Sequence, residues 1–249
     1  KRILLFLGLL IIICHNALDG FTMKVGEPGA MVWHILHQSN GFPLSPDRYV
    51  WFTYPILPWI GVIFLGYCFG TFYTKKFNNS LRKEWLFYIG VSCIILFFIL
   101  RFINLYGNLT PWAIQDTSTQ TVISFFKLTK YPPSLQFLLI TLGPALLILR
   151  SLETIKNKFT DFFLTFGRVP FFYYILHVFI IHTLAIIGMM ITSQDWHQMI
   201  ITKDDIFKGM LSGYGYSLGV VYIIWIFIVL LLYPICKRYM SYKFKNKDK

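Results

Sequence analysis

An imidazole and a carboxylate lie about one helical turn apart in the segment CHNALDG, residues 14–20. His15 and Asp19 are four residues apart, so one face of a helix can present both side chains. A carboxylate beside an imidazole fixes its tautomer and raises its basicity, which is half of a general-base device. The same residues also suit a helix end where polar groups meet water and Gly20 forms the cap. The spacing therefore predicts either a catalytic pair or a polar helix terminus.

Two further histidines, three residues apart, follow in the segment WHILHQ, residues 33–38. His34 and His37 can share one face of a short helix, and a His-x-x-His pair is a candidate metal site. No third ligand has suitable spacing in the sequence, so we expect no metal. An interfacial helix anchored by Trp33 and an outward-facing polar site are the two remaining interpretations.

The segment TKYPPSL, residues 129–135, combines a lysine with two prolines where a membrane span is predicted to begin. Pro132 and Pro133 suit the first turn of a helix, and a helix N-terminus is electropositive. Lys130 beside that N-terminus would create a corner that favours an anion. The structural alternative is a proline-marked start of a span with a lysine at the membrane interface.

Two histidines interrupt an apolar run in the segment GRVPFFYYILHVFIIH, residues 167–182. Pro170 suits the first turn of a helix, and Arg168 beside it favours an anion such as a phosphate. His177 and His182 are about 7.5 Å apart along a helix and about 140° apart around it, so they do not share one face. Ionisable groups at this depth usually face a bundle interior or a watery cavity. We expect His182 to face an internal polar cavity and His177 to face helix packing or a tunnel wall, and neutral histidines bonded to neighbouring helices are the structural alternative.

The elements that position these residues are predicted to lie in a membrane. Hydrophobic residues make up 56% of the chain and charged residues 14%, whereas soluble domains carry about 25% charged residues. The mean hydropathy is +0.59. We therefore predict an all-α fold, a polytopic transmembrane helix bundle with short interfacial helices in the outer loops. Since about 20 helical residues cross a bilayer core, about six spans are expected, at residues 3–18, 55–73, 85–105, 133–150, 169–191 and 214–236.

The basic residues predict the orientation of the bundle. Of the 23 lysines and arginines, 16 lie in one set of connections and six in the other, while Arg101 lies inside a span. By the positive-inside rule the larger set is cytoplasmic, so both ends of the chain are cytoplasmic and loops 19–54, 106–132 and 192–213 face outward. The net charge of +12 then reflects topology and attraction to anionic lipid, and no nucleic acid is expected. The larger set comprises Lys1, Arg2, Lys75, Lys76, Arg82, Lys83, Arg150, Lys156, Lys158, Arg168, Lys237, Arg238, Lys243, Lys245, Lys247 and Lys249.

Six segments in order resemble a known family of membrane proteins. They are CHNALDG, WHILHQ, YPILPWIGVIFLGYCFG, FKLTKYPPSLQFLLITLGPALL, FGRVPFFYYILHVFIIH and GYGYSLGVVYIIWIFIVLLLYPIC. Together they resemble bacterial membrane proteins related to heparan-α-glucosaminide N-acetyltransferase, and the resemblance runs across nearly all 249 residues. It implies transfer of an acetyl group from cytosolic acetyl-CoA, the co-substrate, to a glucosamine amine on the far side of the membrane.

The resemblance implies roles for the residues already singled out. The catalytic candidates are His182, His15 and Asp19. The expected cofactor-binding residues are Arg168, Lys156 and Lys158, which would hold the phosphates of CoA. The expected substrate-binding residues are His34, His37, Arg101, Lys130, Tyr131 and His177. The function predicted in this way is acyl transfer from cytosolic acyl-CoA to an amine or hydroxyl of an extracytoplasmic glycan or glycolipid.

The resemblance implies further N-terminal spans that carry the histidine assigned to catalysis, and we expect residues 1–249 to lack them. We therefore expect residues 1–249 to form a single transmembrane domain that is the C-terminal part of a larger bundle. Two other classes stay open, a transporter or flippase subunit whose intramembrane histidines relay protons, and a non-catalytic half-bundle. The expected location is the bacterial inner membrane. The expected partners are membrane lipid, the acyl donor, the glycan or glycolipid acceptor and further copies of the chain in a homo-oligomer.

Overall fold

Helices form nearly all of the regular structure in the computed structural model, which describes residues 1–45, 48–192, 195–199 and 216–246. The all-α prediction is confirmed. The chain divides into two units, residues 1–153 and residues 154–249, and each unit is described separately.

The first unit contains six α-helices and one β-hairpin among its described residues. Two short 3₁₀-helices, His15–Leu18 and Gly70–Tyr73, prolong α1 and α3. The hairpin pairs β1 (Asn40–Ser45) with β2 (Arg48–Phe52) in antiparallel fashion. The helices are α1 (Arg2–Cys14), α2 (Ala30–Leu36), α3 (Leu57–Phe69), α4 (Asn79–Ile103), α5 (Ser118–Phe126) and α6 (Leu135–Leu152).

Close helix pairs build the first unit, and each pair meets at two glycines. Helix α1 packs on α3, and α4 packs on α6. A Cβ atom on Gly8 would lie 3.1 Å from the carbonyl oxygen of Gly61. A Cβ atom on Gly90 would lie 3.0 Å from the carbonyl oxygen of Gly143. Small residues let the backbones of membrane helices approach in this way, so each pair is fixed at its crossing point.

The predicted membrane spans coincide with apolar helices. Within the described residues, α4, α6 and two helices of the second unit are long and apolar enough to cross a membrane. The segments Arg2–Leu18 and Leu57–Tyr73 are shorter apolar helices. The chain is therefore an integral membrane protein, and the number of spans agrees roughly with the six predicted. The short helices α2 and α5 lie in the predicted outer loops, whereas the hairpin was not predicted.

The second unit consists of α7 (Lys158–Arg168), α8 (Pro170–Ile191) and α9 (Leu218–Lys245), with a 3₁₀-helix at Trp196–Met199. Helix α9 packs against both α7 and α8. The buried core of this second unit comprises Val169, Ile228, Leu232 and Cys236. The predicted outer loop 192–213 and the first two residues of the sixth span lie largely outside the described residues, as do Lys247 and Lys249 in the tail.

Candidate functional site

Three polar side chains meet at the end of α1 in the first unit. His15 opens the 3₁₀-helix that prolongs α1, Asp19 caps that helix, and His37 caps the C-terminus of α2. Each residue offers one nitrogen or oxygen such that these atoms all lie within 4.8 Å of one another. His15 and His37 are only 2% and 3% exposed. We call these residues the His15–Asp19–His37 cluster.

Asp19 pairs with His37 in this cluster rather than with its helical neighbour His15. The Nε2 atom of His37 lies 3.1 Å from Oδ1 of Asp19. Since an ionised carboxylate only accepts hydrogen bonds, Nε2 donates and the lone pair of the His37 ring lies on Nδ1. That Nδ1 atom is buried and has no hydrogen-bond partner among the described residues. A carboxylate that holds an imidazole in this tautomer prepares it to accept a proton.

Asn16 fixes the carboxylate of Asp19. Its Nδ2 atom donates to Oδ2 of Asp19 at 2.8 Å. Its Oδ1 atom accepts from the backbone N–H of Leu135, also at 2.8 Å, at the first residue of α6. The Asp19–His37 pair is thereby tied to the start of α6. No spacing in the sequence indicates this role, because the partner in α6 is 119 residues away.

His15 stands out because both of its ring nitrogens are buried without a hydrogen-bond partner in the described part of the chain. Its ring lies edge-on to that of His37, with the centroids 5.8 Å apart. A buried polar group without a partner costs about 1–3 kcal/mol. Such groups in native proteins call for an explanation, and a functional site is one of them.

A pocket of about 160 Å³ borders the cluster. Asp19, His37, Thr129 and Tyr131 are among the residues that line it. The ring of Phe21 adds an aromatic surface to the wall. Sequence analysis proposed His37 and Tyr131 as substrate-binding residues, and the structure brings both to one pocket although 94 positions separate them.

The phenol of Tyr131 lies in a polar setting at this pocket. Its oxygen is 3.1 Å from the hydroxyl of Tyr54, and the Lys130 ammonium lies 5.2 Å from the centre of its ring. Hydrogen bonding lowers the pKa of Tyr131 below its ordinary value, and Tyr54 contributes more to this than Lys130. Lys130 itself is exposed.

The start of α6 does not offer the free amide groups that an anion would need. The N–H of Leu135 binds Asn16, that of Gln136 donates to the carbonyl of Gly107, and that of Phe137 donates to the Ser134 side chain. The predicted anion corner at this helix N-terminus is therefore taken up by protein groups. The geometry favours the structural alternative for the prolines, and Lys130 keeps only its own charge for a ligand.

His34 does not join His37 in a metal site. It is fully buried, and its Nε2 donates to the carbonyl oxygen of Met23 at 3.0 Å. Trp33 donates from Nε1 to the carbonyl oxygen of Phe21 at 3.1 Å. Both side chains therefore fasten α2 to the preceding loop, as expected for an anchored short helix rather than for a histidine pair that binds a metal.

Arg101 does not reach the pocket, although we expected it to bind substrate. It is 1% exposed and donates from Nε to the carbonyl of Phe125 at 2.6 Å. It also donates to the carbonyls of Ser124 and Lys127, at 2.8 and 3.3 Å, and to the side chain of Gln136 at 3.2 Å. The guanidinium thus caps the carbonyl groups at the end of α5, and this geometry indicates a structural role for Arg101.

The two histidines of α8 differ from what their depth suggested. His182 is exposed instead of facing a cavity, and its Nδ1 donates to the carbonyl of Val178 at 2.9 Å. His177 is half-buried, donates from Nδ1 to the carbonyl of Tyr173 at 3.0 Å and stacks on the Tyr173 ring. Both of these contacts lie within α8, so the expected role of His177 in helix packing or a tunnel wall stays a prediction.

The basic residues proposed for CoA do not converge on one point. Lys156, Lys158 and Arg168 are all exposed. Lys158 is the first residue of α7 and Arg168 the last, which separates them by about 15 Å. Arg168 lies over the ring of Phe244 at 5.3 Å, and the ammonium of Lys243 donates to its carbonyl oxygen. Two cations therefore lie at the end of α7, Arg168 of that helix and Lys243 of α9.

A protein-family model described as "OpgC protein" matches residues 7–206. This stretch includes the whole His15–Asp19–His37 cluster, the pocket beside it and helices α2 to α8. No curated protein and no solved structure matches the chain. The narrower resemblance to relatives of heparan-α-glucosaminide N-acetyltransferase stays a prediction.

Proposed function

Because the chain belongs to the OpgC protein family, a membrane family of the acyltransferase type, we propose that it transfers an acyl group from cytosolic acyl-CoA to an extracytoplasmic glycan or glycolipid. Acetyl-CoA is the proposed donor, and an amine or hydroxyl of the acceptor is the nucleophile. The observation that carries the proposal is the Asp19–His37 pair at the wall of the pocket. The predicted relationship to heparan-α-glucosaminide N-acetyltransferase would make the acceptor group an amine of glucosamine.

The Asp19–His37 pair suits the proton transfer that this reaction needs. As the acceptor nitrogen or oxygen attacks the thioester carbonyl, it gives its proton to Nδ1 of His37. A new N–C or O–C bond forms and the C–S bond breaks. The CoA thiolate then leaves and takes the proton from His37. Asp19 accepts the N–H of Nε2 and stabilises the imidazolium while it exists.

The pocket has a lining that suits one sugar ring. The rings of Phe21 and Tyr131 offer flat surfaces for the apolar faces of a sugar. Thr22, Ser39 and Thr129 add polar groups for its hydroxyls. In this proposal Tyr131 contacts the acceptor directly, whereas His34 and Arg101 support the surrounding structure.

A transfer assay tests the proposed function. The protein is placed in vesicles with radiolabelled acetyl-CoA on the cytoplasmic side and amino-sugar or glucan acceptors on the other. Label that appears on the acceptor supports the proposal. Proton-coupled flux of a solute without label transfer would favour the transporter class instead, and inactivity in both assays would favour the non-catalytic half-bundle.

We propose that the chain lies in a bacterial inner membrane. Both of its termini then face the cytoplasm. Single cysteines at positions 40 and 108, introduced into a variant without native cysteines, should then react with an impermeant reagent in intact cells. Cysteines at positions 79 and 245 should react only after permeabilisation, because the basic residues around them favour the cytoplasm. Reaction of position 79 in intact cells would contradict this topology.

Arg168 is the proposed contact for a CoA phosphate. Arg168→Ala should weaken CoA binding by about 1–3 kcal/mol, because one charge-assisted hydrogen bond is lost. Binding is measured by calorimetry on detergent-purified protein. Arg150→Ala, which removes an exposed arginine from the end of α6, serves as the control and should bind CoA like the parent. Equal affinities for Arg168→Ala and the control would exclude Arg168 from the CoA site.

A further inference from the structure

Two imidazoles and one carboxylate are a donor set that zinc uses in open, three-ligand sites. The His15–Asp19–His37 cluster presents this set within 4.8 Å. We propose that the cluster binds a divalent transition-metal ion, Zn²⁺ above all, and that the bound ion inhibits acyl transfer. The binding is independent of the proposed function, and only its inhibitory effect rests on that function.

The distances in the cluster are close to those of a zinc site. Ligand atoms bound tetrahedrally at about 2.0–2.2 Å lie about 3.3–3.6 Å from one another. Nε2 of His37 and Oδ1 of Asp19 are already 3.1 Å apart. The third atom, from His15, lies within 4.8 Å of both of these atoms, so a shift of about 1–1.5 Å would bring it to the distance of a zinc ligand. As the ion binds Nε2, the single ring proton of His37 moves to Nδ1, so that His37 binds as a neutral imidazole.

The burial of His15 supplies an independent reason to expect a ligand. Its imidazole is 2% exposed, and neither nitrogen has a hydrogen-bond partner within the described ranges. His34 is equally buried but bonds the carbonyl of Met23. A metal ion would satisfy one nitrogen of His15 and thereby remove the cost of leaving both unpaired. Imidazole is a favoured ligand of zinc, copper and nickel, so the site is not expected to select magnesium or calcium.

The surroundings of the cluster also suit a metal. Asn16 donates to Oδ2 of Asp19 and leaves Oδ1 directed toward His37. Polar groups that orient a metal-binding carboxylate in this way raise metal affinity. Asp19 and His37 line the pocket, which gives the ion a path inward and leaves room for water as a fourth ligand.

Inhibition follows from a shared group. The transfer reaction proposed above needs His37 to exchange a proton while Asp19 holds its other nitrogen. An ion bound between His37 and Asp19 breaks their hydrogen bond and adds positive charge beside the ring. The imidazole then no longer accepts a proton from the acceptor.

Zinc titration of the detergent-purified protein tests the site. Calorimetry in metal-free buffer should show about one Zn²⁺ per chain, and Co²⁺ should give the visible absorption of a low-symmetry site. His15→Ala and Asp19→Asn should each weaken Zn²⁺ binding more than about tenfold. His34→Ala is the matched control, because it removes an equally buried imidazole outside the cluster, and it should bind zinc like the parent.

Two results would overturn the site. One is a folded parent protein that binds no Zn²⁺, and the other is equal weakening by His34→Ala and the cluster variants. Asp19→Asn keeps the shape of its side chain, so it decides the matter if an alanine variant fails to fold. Loss of transfer upon zinc binding supports the inhibitory link, whereas zinc binding with unchanged transfer refutes that link alone. A parent that binds zinc but transfers no label refutes the proposed function and leaves the metal site standing.

Discussion

Replacement of His37 by alanine should lower acyl transfer by about 10²–10⁴-fold, the usual contribution of a general base. The acceptor then has no imidazole beside Asp19 to take its proton. Asp19→Asn should cost nearly as much, because an amide can donate to Nε2 of His37 and so hold the ring in the wrong tautomer. Both variants are assayed with labelled acetyl-CoA at saturating acceptor, so that the effect is seen in kcat.

His34→Ala is the control for this experiment. It truncates His34 of α2, whose C-cap is His37 and which is also buried, so it controls for the loss of a buried imidazole and leaves the proposed base intact. Its kcat should remain within about threefold of the parent. If His37→Ala and His34→Ala lose activity in proportion to their melting temperatures, His37 is a structural residue and the base lies elsewhere.

Hydropathy located the elements of the fold but not the hairpin. The predicted spans at 85–105 and 133–150 coincide with α4 and α6 because twenty apolar residues leave a membrane helix few alternatives. The strands of the hairpin, Asn40–Ser45 and Arg48–Phe52, are short, and the first contains Pro43. A proline within a run argues against a strand. Hydropathy therefore assigned these residues to an outer loop.

The candidate site was found only in part from spacing. The pattern His15-x-x-x-Asp19 placed a carboxylate near an imidazole, yet the imidazole that Asp19 binds is His37, 18 residues away. His34 and His37, which the sequence places on one face of a helix, bind different partners, the carbonyl of Met23 and the carboxylate of Asp19. Spacing within one helix fixes which residues share a face, whereas it does not fix which other segment meets that face.

Two residues lie in other surroundings than their expected roles require. Arg101 was expected to bind substrate because the family resemblance implies that role. The carbonyl groups that it binds come from α5, a segment 23 to 26 residues later. His182 was expected to face a cavity because of its depth in the span, and it is exposed instead. The contacts of Arg101 are tertiary and leave no periodic trace in the sequence, whereas the depth of His182 does not determine which face of α8 carries it.

The capping role of Arg101 predicts the largest loss of stability in the first unit. Arg101→Met keeps the length of the side chain and removes every donor. The carbonyl groups of Ser124 and Phe125 and the amide of Gln136 then lose their partner in a buried place. Each unpaired group costs about 1–3 kcal/mol, so we expect a loss of about 3 kcal/mol or more in the free energy of unfolding.

The loss is measured by denaturant unfolding in detergent micelles, with Arg150→Met as the control. Arg150 is exposed and makes a single described hydrogen bond, to the carbonyl of Lys83 at 3.2 Å. Its replacement should change stability by no more than about 0.5 kcal/mol, as for most surface substitutions. The same variant distinguishes a capping role of Arg101 from a substrate-binding role. An Arg101→Met protein that unfolds like the parent but needs far more acceptor to reach half its maximal rate would place Arg101 in the substrate site, because only a binding role affects KM without affecting stability.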